Sequence, residues 1–342
     1  MTAIRELTDS DRQRWDEFVV GRAEGTFFHR AGWRDVIERG FGHKAHYLLA
    51  ESNGRVTGVL PLVHLKSMLF ANALISTPFC VGGGPLAEDE TTRAALDRAA
   101  LDLADELDVD FVEYRSPPPP AAGWRSRSDL YCGFTRRIEA DPERNLLAIP
   151  RKQRAEVRKG MKHGLTGEID QDIDRFYDLF ASNVRHHGTP VFGRRYFRAL
   201  KEVFGDDCEI LIVTKDGRPI CGVISFYFRD QVLPYYAGSG PQSRALSGHE
   251  FMYWDVMRRA GERGIRWFDF GRSKVGTGSF DFKKNWGFVP EPLTYGYYLR
   301  RGDTLPEFNP TNPRYRLFIA LWRRLPLGLS KVIGPWIARS LG

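Results

Sequence analysis

Two stretches of the chain share one alternation of apolar and polar positions. In "FGHKAHYLLAESNGR" (residues 41–55) an apolar run, Tyr47 to Ala50, leads into Asn53-Gly54-Arg55, and a second apolar run, "VTGVLPLVHL", follows. In "FGDDCEILIVTKDGR" (residues 204–218) the run Ile210 to Val213 leads into Asp216-Gly217-Arg218, and "PICGVISFYF" follows. An Asn-Gly or Asp-Gly between two apolar runs predicts a β-hairpin. Upstream, "AGWRDVIERGFG" and "RRYFRALKEVFG" both predict a helix running into Phe-Gly. Downstream, "TTRAALDRAALDLADEL" and "GHEFMYWDVMRRAGERG" place apolar residues at helical spacing. "DFVEYRS" and "WFDFGRS" then predict strands ending in Arg-Ser, and "YCGFTRRIE" matches "NWGFVPEPL". Each half therefore predicts helix, strand, hairpin, strand, strand, helix, strand, strand: one α/β unit used twice.

The pattern sets expected borders. A first domain covers 1–137, a basic helical connector 138–165, and a second domain 166–300. A basic amphipathic tail fills 301–342. The halves diverge after Arg-Ser. The first continues with "PPPPAAGWRSRS", a stiff exposed loop. The second continues with "KVGTGSFDFKKNWGF", rich in glycine, lysine and aromatics. The decorated half is expected to keep the reaction centre.

Within that half, Asp269 stands among aromatics, where a carboxylate is costly unless paired. Arg272 is its expected partner past the turn at Gly271, and orients substrate beside Ser273. The glycines Gly276 and Gly278 open backbone N–H groups to an anion. "FDFKKNWGF" reads as a strand approach in which Lys283, next to Phe282, buries its stem and aims its ammonium inward. A positive charge placed there stabilises a developing oxyanion, whereas Lys284 reads as a solvated lysine. Ser247 to Glu250, "SGHE", fits a capping box at a helix start. The loop before it, "YYAGSGPQSRAL", with Arg244 beside the helix, reads as a phosphate site.

Composition narrows the classes. The 342 residues carry 50 Lys and Arg against 43 Asp and Glu, a net charge of +7, which favours anionic partners. Arg151, Lys152, Arg154, Arg158, Lys159 and Lys162 crowd into the connector, against Glu156 alone, and read as an anion-contacting helix. The four cysteines are scattered singly, so reduced thiols and a cytoplasmic location are expected. The charged start lacks the apolar core of a signal peptide, and no apolar run is long enough to span a bilayer. The His43/His46 and His186/His187 pairs lack companions at ligand spacing, so no metal is expected. The tail mixes Leu, Ile, Trp and Phe with Arg and Lys. It is expected to pack on the body as helices or to touch the inner membrane face peripherally.

The ordered segments "TFFHRAGW", "HYLLAESNGRVTGVLPL", "ISTPFCVGGG", "RKQRAEVRKGMKHGL", "YYAGSG", "FDFGRS" and "FKKNWGF" resemble the FemAB family over nearly the whole chain. The likeness is greatest to the FemAB-like proteins associated with exosortase/PEP-CTERM and exopolysaccharide systems. The resemblance implies a tandem duplication of GNAT-like (N-acyltransferase) domains with mixed, mainly antiparallel sheets flanked by helices. It also implies transfer of an acyl or aminoacyl group to an amine of a cell-envelope or exopolysaccharide precursor. It places Phe282 and Lys283 at the reaction centre and Arg185 on substrate phosphate, and adds Tyr236 and Trp286 to the binding set. It implies no permanently bound cofactor and a co-substrate donor: acyl-CoA, acyl carrier protein or aminoacyl-tRNA. The sequence departs from the family in two places. No long helical arm interrupts the second domain, and Arg272 to Gly278 is one residue longer than the usual pyrophosphate loop. Two other classes stay open: a nucleic-acid-binding (tRNA-binding) module, and an inactive scaffold of a polysaccharide or protein-sorting system.

Overall fold

The computed structural model describes residues 2–67, 72–306 and 313–340, with side chains of the last segment described from Phe318. Contacts divide the chain into two units. The first comprises Met1–Leu130, Leu293–Phe308 and Arg339–Gly342; the second comprises Tyr131–Pro292 and Asn309–Ala338.

The first unit opens with β1 (Ala3–Glu6), α1 (Arg12–Gly21) and α2 (Trp33–Phe41). The hairpin β2 (Lys44–Ser52) and β3 (Arg55–Lys66) follows, then β4 (Asn72–Ser76), β5 (Leu86–Ala87), α3 (Glu90–Glu106) and β6 (Phe111–Tyr114). β7 (Trp124–Gly133) carries the chain into the second unit, where β8 (Thr135–Arg137), α4 (Pro142–Ala148) and α5 (Arg151–Lys162) come first. The order then repeats: β9 (Thr166–Asp170), α6 (Ile173–His187), α7 (Arg194–Phe204), β10 (Cys208–Lys215), β11 (Arg218–Phe228), β12 (Gln231–Ser239), α8 (Gly248–Glu262) and β13 (Trp267–Asp269). The chain continues through β14 (Ser273–Lys274), α9 (Gly278–Asn285), β15 (Glu291–Leu299), α10 (Pro313–Arg324) and α11 (Leu327–Ala338).

The two sheets share one topology. One contains the run β1-β2-β3-β4-β6-β15, continued by β7 and β14 and with β5 beside β3, and the other runs β9-β10-β11-β12-β13-β8. In each, the fourth and fifth strands pair parallel, β4 with β6 and β12 with β13, and the other described pairs are antiparallel. The repeated hairpins also match in their turns. Asn53 and Gly54 have φ of 51° and 74°, and so do Asp216 and Gly217. Positive φ at both central residues is what a type I′ turn requires, which is why Asn-Gly and Asp-Gly stand there.

The last strands part from the expected order. Each half was expected to end its own sheet. Instead β8, at the start of the second unit, pairs with β13 through Arg137–Trp267, Arg136–Phe268 and Thr135–Asp269. β15 pairs with β6 through Gly296–Tyr114 to Leu299–Phe111. The chain thus returns to the first unit after Pro292 and enters the second again at Asn309, so the borders differ from those expected at 137, 165 and 300. α5 lies within the second unit, where Gly160 lets it close on Phe251 of α8 and on Ser247 just before it.

Each sheet buries its apolar side chains under a helix. In the first unit, Leu48, Leu60, Leu62 and Leu74 cluster with Leu96, Ala100 and Ala104 of α3. In the second, Leu211, Val213 and Val223 cluster with Met252, Val256 and Ala260 of α8. α6 brings Phe176 and Phe180 to Phe197 of α7 and Tyr236 of β12. It passes so close to β12 that a Cβ on Gly238 would lie 2.3 Å from Phe180 N. All four cysteines are buried thiols outside any disulfide.

Candidate active site

β13 ends at Asp269, and the chain turns through Gly271 (φ 65°) into β14, which pairs with Cys132 and Tyr131 of β7. "FKKNW" was expected as a strand approach and is the helix α9. Gly287 explains where it stops. At φ 82° it closes the helix with Gly287 N–H donating to Lys284 O (2.9 Å) and Phe288 N–H to Lys283 O (3.2 Å), a Schellman pattern that a Cβ disfavours. Arg136 of β8 reinforces this end. Its Nη1 donates to Trp286 O at 3.3 Å and its guanidinium stacks 4.7 Å above the Phe288 ring. A cation suits a helix C-terminus.

Helical geometry turns Lys283 inward and Lys284 outward. Lys283 is 9% exposed. Its Nζ donates to Gly271 O (3.2 Å) and Arg272 O (3.0 Å), and lies 5.3 Å from the Phe134 ring centroid and 6.0 Å from that of Phe270. An ammonium has three N–H donors; the third has no acceptor among the described residues. Burial pushes the Lys283 pKa down from 10.5 to about 8, with Asp269 opposing the shift and Arg272 adding to it. Asp269 accepts from Gly271 N–H (2.7 Å) and faces Gln231 Nε2 at 3.4 Å. Burial raises its pKa, against the Gly271 N–H and the Lys283 charge. The pair is a mutually dependent charge couple in an aromatic surround.

The remaining expected residues divide into two groups. Arg272 stacks 4.5 Å above the Tyr131 ring. Ser273 is buried and its Oγ has no hydrogen-bond partner among the described residues. Phe282 packs on Tyr253, Phe270 and Trp286. Trp286 is fully buried, and its Nε1 also lacks a partner among the described residues. With Asp269 and Lys283 these form one block. Three others lie outside it. Tyr236 is 2.6 Å from Tyr196 Oη in the aromatic cluster under α6. Arg185, expected on substrate phosphate, donates Nη1 to Leu325 O at 2.9 Å and so caps the end of α10. Arg244 is exposed in the loop before α8.

The expected capping box at Ser247 is not formed. Ser247 has φ 56°, makes no cap bond, and gives its hydroxyl to Glu156 Oε2 of α5 at 2.6 Å. The N–H groups of Ser243, Leu246, Ser247 and Gly248 turn back onto carbonyls of the same loop, so fewer donors face outward for a phosphate than the glycine-rich sequence suggests. On α5, Arg151, Lys152, Arg158, Lys159 and Lys162 are exposed, while Arg154 donates to Leu147 O.

A further feature was silent in the sequence. β12 pairs with β13 only at Gln231 and Val232, although it runs on to Ser239 along β11. The register slips between Ile224 and Ser225, leaving Tyr235 as the extra residue of a β-bulge. Among the described residues no strand pairs with β12 beyond Val232 on its β13 side, and a sheet edge of this kind can receive an extended ligand. Among the described residues no group of three or more His, Cys, Asp or Glu is arranged for a metal, and no helix is long and apolar enough to cross a membrane.

Comparison with known proteins fits this geometry. Residues 151–284 match the family model of a GNAT acetyltransferase domain. The chain is similar in structure to FemX, with a TM-score of 0.70 and 16% identity over 93% of this chain and 100% of that one. It is also similar to a tandem GNAT protein from the clavulanic acid biosynthesis pathway, at TM-score 0.55 and 14% identity, covering 89% and 100% of the two chains. A conserved protein of unknown function from Bacteroides thetaiotaomicron VPI-5482 gives TM-score 0.59 at 11% identity, covering 88% and 100%. No curated protein matches in sequence.

Proposed function

We propose that this chain, FemAB-like in fold and with a GNAT acetyltransferase domain at residues 151–284, joins an acyl or aminoacyl group to an amine of a cell-envelope or exopolysaccharide precursor. The acyltransferase assignment follows from the domain and fold; the acceptor rests on the FemAB resemblance of the sequence. The observation that carries the mechanism is the Lys283 ammonium, fixed by two carbonyls with its third N–H unspent.

In this reading an acyl thioester, acyl-CoA in the first instance, lies along the open edge of β12 from Leu233 to Ser239. Its amides replace the missing neighbour strand. The acceptor amine attacks the carbonyl carbon, and the carbonyl oxygen takes up negative charge. Lys283 donates its remaining N–H to that oxygen in a site where aromatics exclude water, which is where a fixed charge is worth most. The intermediate collapses with release of the thiolate, and the amine's proton leaves to solvent or to the thiolate. Asp269, held by the Gly271 N–H on one oxygen and facing Gln231 of β12 with the other, acts as a positioning residue that keeps Lys283 protonated. Arg272 and the hydroxyl of Ser273 stand beside the turn to meet polar groups of the substrates. Carrier-bound acyl groups and aminoacyl-tRNA would present the same reacting carbonyl, and the exposed cations of α5 would favour any of the three.

The test is native mass spectrometry of the purified chain with acyl-CoAs, acyl carrier protein and aminoacyl-tRNA, followed by product analysis with amine acceptors. Retention of one donor and an amide product that disappears in Lys283→Met support the proposal. Retention of none, or a product formed equally by Lys283→Met, refutes it. Binding of uncharged tRNA as tight as aminoacyl-tRNA, with no product, favours the nucleic-acid-binding reading.

A further inference from the structure

The two C-terminal helices are docked the wrong way round for a core. Along α11 the inward positions are Ser330, Gly334 and Ala338, all buried. The spacing of four keeps small residues on one face, and the backbone closes in behind them: a Cβ on Gly334 would lie 2.8 Å from Val191 Cγ1 and 2.9 Å from Val191 N. Lys331 fixes the helix laterally through Asp178 at 2.6 Å. The large apolar side chains point the other way. Leu329, Val332, Ile333 and Trp336 follow i, i+3, i+4, i+7 spacing and are exposed, Val332 to 66% and Trp336 to 73%. On α10, Trp322 is buried while Phe318 and Leu321 are exposed. A surface helix ordinarily turns its apolar stripe to the core; here the stripe faces solvent although the helix is firmly held, and an exposed apolar patch of this kind marks an interaction surface.

Charge identifies the occupant. Residues 313–340 contain six Arg and Lys and no Asp or Glu, and Arg323 and Arg324 are exposed in the last turn of α10. A second copy would bring these like charges together, whereas an anionic surface neutralises them. α11 has 12 residues, about 18 Å of helix, too short to span a bilayer but suited to lying in its plane with a tryptophan at the boundary. We propose that the outer face of α10 and α11 seats this protein on an anionic phospholipid bilayer. This assignment stands apart from the acyl-transfer reading and has its own readout.

The experiment is flotation of the full chain with vesicles of phosphatidylglycerol and phosphatidylcholine, or of phosphatidylcholine alone, at about 50 mM and about 500 mM salt. The wild type is expected to float with the anionic vesicles at low salt and at least tenfold less with neutral ones. Val332→Glu/Trp336→Glu should cut flotation at least tenfold with an unchanged melting temperature, since both side chains are exposed. Arg323→Gln/Arg324→Gln should weaken it several-fold at low salt only. Absence of wild-type flotation at low salt overturns the proposal, as does flotation indifferent to the Val332/Trp336 change. So does a wild-type dimer in sedimentation that the same change dissociates without any vesicle binding.

Discussion

Replacing Lys283 by Met tests the site and the reading together. The sequence alone suggests a change with little effect on stability, because the apolar stem is kept. The structure predicts otherwise. The ammonium holds the carbonyls of Gly271 and Arg272, and hydrogen bonds to a charged group are worth about 1.5–3 kcal/mol each. Against this stands the burial that lowers the pKa from 10.5 to about 8, a penalty of about 3 kcal/mol on the charged form. The difference is a net loss of up to about 3 kcal/mol near neutral pH, or at most several degrees in melting temperature for a unit of this size. The pH dependence has a definite sign. The folded pKa lies below the unfolded value, so between about pH 8 and 10.5 the unfolded chain binds more protons and unfolding becomes harder as pH rises. Wild type minus variant should therefore widen in the wild type's favour across that window, in denaturant melts at fixed salt. Activity should fall by roughly 10²–10³. A flat difference between pH 8 and 10.5 would refute the buried-charge account, and unchanged turnover would refute the oxyanion role.

Other expectations follow from the same geometry. If Lys283 acts while protonated, turnover should decline as pH rises through about 8, and Lys283→Arg should remove that decline while retaining part of the activity; pH–rate profiles decide. Asp269→Asn keeps an acceptor for Gly271 N–H but deletes the charge that holds the lysine protonated, so the same decline should move to lower pH. Gly238→Ala places a methyl 2.3 Å from Phe180 N, and with backbone on both sides the loss of stability should reach about 3 kcal/mol or more, measured by thermal unfolding. Changing Arg151, Lys152, Arg154 and Arg158 together to Ala should shift melting little and weaken an anionic donor most at low salt, by titration at two ionic strengths.

The repeated fold was legible because both copies carry it in local signals. Apolar runs meet at Asn53-Gly54 and Asp216-Gly217, and the turns adopt the conformation those pairs favour. Lys283 was legible as a buried lysine beside an aromatic, and Lys284 as its exposed neighbour. What failed was non-local. The aromatics of α9 fit either period over eight residues, so the sequence alone reads there as a strand approach, and the helical end depends on Gly287 and on Arg136, about 150 positions away. Ser247 fits a helix cap in sequence, yet Glu156 of another helix takes its hydroxyl. Arg185 spends its guanidinium on α10, a partner 140 residues downstream that no local pattern announces. The splay of β12 from β13 is a matter of where two short ladders stop, which apolar alternation does not encode.

The return of β15 to β6 has a consequence for biosynthesis. On the ribosome the strands β1 to β6 of the first unit emerge well before their neighbour β15, which lies beyond residue 290. At about 5–20 residues per second, roughly 10–40 s separate the appearance of β6 from that of β15. For that interval β6 is an edge with unpaired backbone groups, open to pairing with another nascent chain. The second sheet meets no such delay, since β8 precedes β13 and the ladder can close as soon as β13 arrives. The usual order, in which the N-terminal part finishes first, is thereby altered: the second sheet closes first, and the chain then hands back the strand that seals the first.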